Sequence, residues 1–400
     1  MSAITEGAVR VGSPGFRRIN VALFCAGFVT FVTLYDVQPL LPLFAQEFGV
    51  SPAVSSLPLS FSTIALALGM LIAGTVSETL GRRRVMTAAL FLTSLLAMAT
   101  YFSHSFESLL MLRLLQGLAL AGVPSVAMAY LGEEMDARAI GHAMGLYISG
   151  NALGGMTGRI GSALLCRYVP WPSAIALIGV ISLLLTLLFL KSLPTSTNFR
   201  QRPFRVRYLF TSLFQHLRDP GLLCLYALAF LSMGGFISLY NYIGFRLLAA
   251  PYNLSHFQVS LIFLVYLLGS FSSGVIGSLI HRFGRPFMIR LTLSVMLGGT
   301  LVTLSGSLPA IVAGVGIFTC GFFSVHAIAS SWVGRRARTA KAQASSLYLF
   351  SYYLGSSISG TAGGLFWVNF GWNGVAAMII LLTVTAFGVA ALLLRLPVNE

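Results

Sequence analysis

Charge is what this 400-residue chain has least of. Charged residues make up 9% of it and hydrophobic residues 56%, whereas an ordinary soluble domain carries about 25% charge. That balance excludes a soluble globular fold and points to a polytopic membrane protein. Acids are scarcest, with ten Asp and Glu against 25 Lys and Arg. The net charge of +15 does not form a nucleic-acid-binding face, because the cations sit in short clusters between apolar segments, the distribution that orients membrane helices. Lysine occurs only at Lys191 and Lys341, and neither follows a glycine pattern that could cradle phosphates, so ATP drive by this chain is unsupported. The four cysteines, Cys25, Cys166, Cys224 and Cys320, show no C-x-x-C spacing. They indicate neither a metal site nor a disulfide framework and read as small buried hydrophobes. His104, His142, His216, His256 and His281 stand in separate loops or span ends without H-E-x-x-H spacing, which leaves a membrane enzyme as a distant alternative. No loop is long enough to hold the soluble output domain of a sensor.

What is abundant is apolar sequence in lengths of about 20 residues, the span of a bilayer. Arg17 and Arg18 precede a first run from Ile19 to Phe44; it exceeds the roughly 7–15 residues of a signal-peptide core and has no A-x-A-like cleavage site, so it reads as a retained span. Twelve spans are expected, near 19–44, 53–77, 83–103, 108–131, 141–166, 172–193, 221–245, 257–281, 287–306, 308–331, 343–367 and 374–395. The long connection from Lys191 to Asp219 carries Lys191, Arg200, Arg202, Arg205, Arg207 and Arg218. It divides the chain into an N-tail (1–18), a first six-helix half (19–193), a basic linker (194–220) and a second half (221–400). All Lys and Arg except Arg113, Arg159, Arg167 and Arg246 lie in the tails, the even-numbered loops or the span ends bordering them, which places both termini in the cytoplasm.

The two halves repeat each other. Gly74-Thr-Val-Ser-Glu78-Thr-Leu-Gly81-Arg82-Arg83-Arg84 closes the second span, and Gly277-Ser-Leu-Ile-His281-Arg282-Phe283-Gly284-Arg285 closes the eighth, 203 residues later. In the fifth span Gly150, Gly155 and Gly158 match Gly355, Gly360 and Gly363 of the eleventh at an offset of 205. Parallel repeats of several membrane helices characterise secondary transporters, and small residues at this spacing let helices approach closely. Ordinary helix packing accounts for most of these glycines; a functional role enters where the contact is remade as the protein changes state.

These residues resemble signatures of the major facilitator superfamily. Gly74, Glu78, Gly81, Arg82 and Arg83 resemble its motif A, of the form G-x-x-x-D-R-x-G-R-R; Arg113, Gln116 and Gly117 resemble motif B on the fourth span; and Gly150, Gly154 and Gly155 resemble the antiporter motif C on the fifth. Glu78 stands for the usual Asp, Thr79 for the usual Arg and Asn151 for the usual Pro. The resemblance implies an all-α fold of twelve transmembrane helices in two pseudo-symmetric six-helix halves, in a bacterial inner membrane. It also implies alternating access, a small-molecule substrate, no bound cofactor, no nucleic-acid partner and a monomer in the lipid bilayer. Motif A would then gate the cytoplasmic ends, and the first, fourth, seventh and tenth spans would line the cavity. The expected function is proton-coupled export of a drug, sugar or small metabolite; an importing symporter or facilitator is the alternative.

Among the acids only Asp36 lies within a span, and intramembrane carboxylates mark ion pathways or binding sites by default. It sits in Tyr35-Asp36-Val37-Gln38-Pro39, in the outer half of the first span. Arg113 lies about 8 Å below the outer surface at about 1.5 Å per residue, and Arg159 at a similar depth. These depths are compatible with an Asp36–Arg113 or an Asp36–Arg159 pair, either as a proton-coupling switch, broken when Asp36 takes up a proton, or as a permanent structural pair; an Asp36 close enough to the outer surface to be hydrated is the other alternative. A neighbouring cation favours the ionised carboxylate, and burial without one favours the neutral acid. Further candidate cavity residues are Tyr35, Gln38, Tyr240, Asn241, Tyr348, Tyr352 and His326, the one histidine well inside a span. His326 reads as a hydrogen-bonded core residue or as a group that meets substrate or protons.

Overall fold

The computed structural model describes residues 9–199, 201, 206–337 and 339–397. Among these there is no β-strand, only an isolated bridge between Val9 and Met135. Twelve long helices follow one another. They are α1 (Pro14–Tyr35), α2 (Leu57–Leu80), α3 (Arg82–Ala99), α4 (Phe106–Glu134), α5 (Ala137–Leu165), α6 (Trp171–Ser192), α7 (Pro220–Leu248), α8 (Tyr266–Phe283), α9 (Arg285–Val302) and α10 (Leu308–Arg336), followed by a 55-residue helical stretch, Lys341–Arg395. That stretch breaks at Gly371, whose φ of 58° is outside the helical range, giving α11 (341–370) and α12 (372–395). Only glycine takes such a backbone freely, so the turn between the last two spans needs a single residue.

Local sequence sets the boundaries. The α1 helix opens with Pro14 behind the Ser13 cap, and α7 opens with Pro220 behind the Asp219 cap, positions where the missing proline N–H costs nothing. The α1 helix ends at Tyr35, three residues ahead of the 3-10 turn Gln38–Leu40 that contains Pro39, because Pro39 has no N–H to bond the Tyr35 carbonyl four residues back. The chain continues through Leu41–Glu47 as the outer part of the first span. Pro124 likewise breaks α4 between Leu120 and Pro124.

Nine stretches among the described residues are long and apolar enough to cross a membrane, the 55-residue one counting once. Their outward faces carry large apolar side chains, among them Leu68, Ile72, Leu184, Phe271 and Leu381, as lipid-facing helices do.

The chain forms two compact units, 1–37 with 65–206, and 38–64 with 207–400. The segment 38–64, from the end of the first span to the start of the second, thus clusters with the second unit, where a cut in the linker alone would have left it in the first. Thr63 Oγ1 meets Ser357 Oγ at 2.7 Å, and Ser60 Oγ meets Thr361 Oγ1 at 2.9 Å. Inside each unit the glycine repeat does the same job. A Cβ at Gly150 would lie 2.5 Å from Phe24 O, one at Gly154 2.7 Å from Phe28 Cα, and one at Gly158 3.0 Å from Val32 Cα, all on α1; in the second unit a Cβ at Gly355 would lie 2.8 Å from Phe230 Cα on α7. Backbone contact of this kind supplies the dispersion attraction that replaces the hydrophobic effect inside lipid.

The linker is more ordered than its polar composition implies, since Val206–Leu217 is helical. Arg200, Arg202, Arg205 and Arg338, with Glu6 and Glu400, lie outside the described residues.

Candidate functional site

Among the described residues the first unit holds the buried charged side chains Asp36, Arg82, Arg113, Glu134 and Arg159, and the second holds Arg336. Along α4, Leu109, Arg113, Gln116, Gly117 and Leu120 recur at helical spacing and form its buried face, so motif B is turned inward. Arg113 Nη1 stands 3.1 Å from Asp36 Oδ1, with both side chains buried. The same nitrogen donates to Thr33 O at 2.8 Å and Gln116 Oε1 at 2.6 Å, while Nη2 donates to Leu34 O at 2.6 Å. Thr33 and Leu34 are in the last turn of α1, whose carbonyls have no helical partner and carry the negative end of its dipole. Arg113 therefore caps α1 as well as pairing with Asp36. Asp36 Oδ2 is buried with no hydrogen-bond partner.

Arg159 is directed elsewhere. Its guanidinium carbon lies 3.8 Å from the Tyr35 ring centroid, and Nη1 donates to Gly155 O at 2.8 Å. Of the two partners open to Asp36 from sequence, the structure brings Arg113 to it and sets Arg159 on the adjacent aromatic ring, where cation–π attraction holds a desolvated guanidinium. Gly155 of motif C thus both leaves room beside Arg159 and binds it through its carbonyl.

Motif A closes a second cluster at the other end of the same unit. Gly81, with φ of 95°, makes the turn between α2 and α3. Arg82 Nη2 pairs with Glu133 at 2.8 Å, Nη1 donates to Gly74 O at 3.1 Å and to the Ser77 hydroxyl, and Glu78 lies farther off at 3.8 Å. Arg83 donates to Leu190 O at 2.9 Å. Glu133 and Glu134, which lie beyond the fourth span expected from sequence, belong instead to the last turn of α4. The second is buried and accepts from Thr197 Oγ1 at 2.8 Å and Asn198 N at 3.0 Å. The only sequence signal for either was an acidic pair directly after an apolar run, which is also what an exposed helix end looks like.

The second unit gathers the remaining candidates. Gln38 Nε2 donates to Asn241 Oδ1 at 2.8 Å. Tyr240 bonds Thr319 Oγ1 at 2.7 Å and stacks on Phe263. Phe236 connects this group to Phe322 at a centroid distance of 3.9 Å, and Phe322 stacks on His326 at 6.3 Å. Tyr348 Oη meets His326 Nδ1 at 3.0 Å, and the Tyr352 ring lies 4.8 Å from the imidazole. His326 is therefore half-buried in an aromatic setting with its Nδ1 engaged. Among the described residues no group of three or more His, Cys, Asp or Glu is placed to hold a metal ion.

Known proteins are similar in sequence and in fold. The chain is 48% identical over 387 residues to the MFS-type transporter YybF of Bacillus subtilis, covering 97% of this chain and 96% of the relative. It is equally 48% identical over 387 residues to the inner membrane transport protein YnfM of Escherichia coli, covering 97% and 93%. The solved structure of the nucleoside transporter NupG superposes with a TM-score of 0.75 at 13% identity, covering 94% of this chain and 99% of that one, a likeness of fold alone. Residues 21–360 match the Major Facilitator Superfamily, and with twelve helices, repeated halves and relatives aligned end to end, the chain belongs to that superfamily of membrane transporters.

Proposed function

We propose that this transporter exports a small molecule in exchange for protons, with Asp36 as the proton-accepting group and Arg113 as its conditional partner, working by alternating access in a bacterial inner membrane with both termini in the cytoplasm. The observation that carries the reading is the set of acceptors around Arg113. The carbonyls of Thr33 and Leu34 and the amide oxygen of Gln116 hold the guanidinium independently of Asp36. Protonating Asp36 therefore breaks the ion pair without leaving a buried cation unsatisfied, and the unbonded Oδ2 is the oxygen able to take the proton. A buried pair lacking such support would cost several kcal/mol to break and would be a poor switch.

Export is favoured by the resemblance of Gly150, Gly154 and Gly155 to the antiporter motif and by the backbone-to-backbone seat of Gly150 and Gly154 on α1, the helix that Asp36 caps. The aromatic and polar residues Tyr35, Gln38, Arg159, Tyr240, Asn241, His326, Tyr348 and Tyr352 are proposed as substrate-facing groups, and the motif A turn as a gate. The test is proton movement in inside-out vesicles on addition of lipophilic cations, sugars and organic anions, with the native chain and with Asp36→Asn. Proton release by the native chain alone is the expected result. Equal responses would remove Asp36 from coupling, and substrate-driven proton uptake would replace antiport with symport.

A further inference from the structure

The linker helix Val206–Leu217 plays no part in the proposed transport cycle, and its surroundings define what it binds. One side of it is fixed to the second unit. Ser212, Leu213 and His216 are buried, and His216 Nε2 lies 3.1 Å from Ala340 O. On another side Phe214 is 64% and Leu217 42% exposed, one helical turn apart, with exposed Arg218 following directly and Thr211 and Gln215 also exposed. Phe214 and Leu217 thus give an otherwise anchored helix a small exposed apolar edge beside a cation.

Position supplies a neighbour for that edge. The helix ends at Leu217 and the α7 span begins at Pro220. With 29 residues, α7 is about 43 Å long at about 1.5 Å per residue, against a hydrocarbon thickness of about 30 Å. The excess of about 13 Å is enough for its first turns, and the linker helix that precedes them, to lie at the lipid–water boundary. Charge says which lipid. Between Lys191 and Asp219 the sequence has six cations and a single acid, and that acid is committed, since Asp219 Oδ1 pairs with Arg336 at 2.7 Å while capping α7 through the amides of Gly221 and Leu222.

We propose that this helix is an interfacial anchor that binds anionic phospholipid headgroups, with Phe214 and Leu217 dipping into the acyl boundary and Arg218 against the phosphates. Amphipathic helices with cations beside aromatic and aliphatic residues bind membranes by this combination, and basic clusters next to a span attract anionic lipid. Anchoring one side of the helix to the loop at Ala340 and the other to lipid couples the second unit's α10–α11 connection to the composition of the leaflet.

The test uses the full chain with its four cysteines replaced and a nitroxide placed in turn at 211, 214, 215 and 217, reconstituted in phosphatidylcholine vesicles with and without phosphatidylglycerol. Collision with oxygen, which partitions into lipid, is compared with collision with a water-soluble nickel chelate. At 214 and 217 oxygen is expected to dominate and at 211 and 215 the chelate, with the contrast rising when phosphatidylglycerol is present and falling back in Arg218→Gln. Chelate dominance at 214 and 217 would show a helix in water; exclusion of both reagents there would show a protein partner; indifference to phosphatidylglycerol would show no headgroup recognition. Each of these overturns the proposal. Hydrogen exchange of the 206–217 segment in the unlabelled native chain gives an independent reading, with slower exchange expected in the anionic vesicles and equal rates counting against the anchor.

Discussion

The pairing of Asp36 with Arg113 can be measured as a coupling energy. Asp36→Asn keeps the Thr33, Leu34 and Gln116 acceptors of the guanidinium and retains an uncharged amide oxygen at the position of Oδ1. The loss is one charge-assisted contact at 3.1 Å, worth about 1.5–3 kcal/mol when removed outright and expected at the low end here. Arg113→Gln is harsher, because it leaves the Asp36 carboxylate buried without a cation and the Thr33 and Leu34 carbonyls without a donor. Stripping one partner from a buried pair costs about 3–5 kcal/mol. In the double variant no isolated charge remains, so its destabilisation should fall short of the summed single losses by about 1–3 kcal/mol, the range for contacting residues. Unfolding of the four proteins in the same detergent gives the cycle. Additivity within about 0.5 kcal/mol, or a larger loss for Asp36→Asn than for Arg113→Gln, would refute the account of the site in which the arginine is independently supported and the carboxylate is not.

Other outcomes follow from the same contacts. Gly154→Val forces α5 away from Phe28 and should cost about 1–3 kcal/mol, whereas Gly74→Ala, with nothing within 4 Å of its Cβ, should be neutral or stabilising by up to about 1 kcal/mol; melting temperatures of the pair decide it, and a destabilised Gly74→Ala would contradict the open site. Glu133→Gln loosens Arg82 at a half-buried pair and is expected to cost about 1 kcal/mol after solvent screening, while Glu78→Gln should cost less; the reverse order would mean that Glu78 is the true partner. His326→Phe keeps the stacking on Phe322 and Tyr352 but strips the Tyr348 hydroxyl of its ring-nitrogen partner, leaving it the 3.4 Å bond to the backbone carbonyl of residue 326, an expected loss of about 1 kcal/mol. Adding Tyr348→Phe should recover most of it, and failure to recover would place the cost in the ring contacts.

Much of this protein was legible residue by residue. The twelve spans could be placed because a bilayer obliges each segment to satisfy its own backbone hydrogen bonds, so length and apolarity mark a helix without reference to its neighbours. The same constraint makes Asp36 conspicuous, as the one carboxylate within a span, and the repeat at Gly150 and Gly355 recurs as the same backbone contact in each unit. Choices that depend on rotation about helix axes were not legible. Depth alone left Arg113 and Arg159 equivalent; the turn of α4 that buries its 109–113–116–120 face directs one to Asp36, and the seat of α5 on α1 lays the other on Tyr35. Gly154 and Gly74 look alike in sequence, but only one faces a backbone. Glu133 and Glu134 gained partners from α3 and from the linker, 51 and 64 residues away, and segment 38–64 clusters with helices far along the chain. The sequence by itself determined how many membrane-spanning helices there are and which rare polar residues they carry into the membrane, because that is settled by the local free energy of burying a backbone in lipid. Tertiary structure alone decided which of those polar residues meet, because pairing depends on close packing between segments distant in the chain.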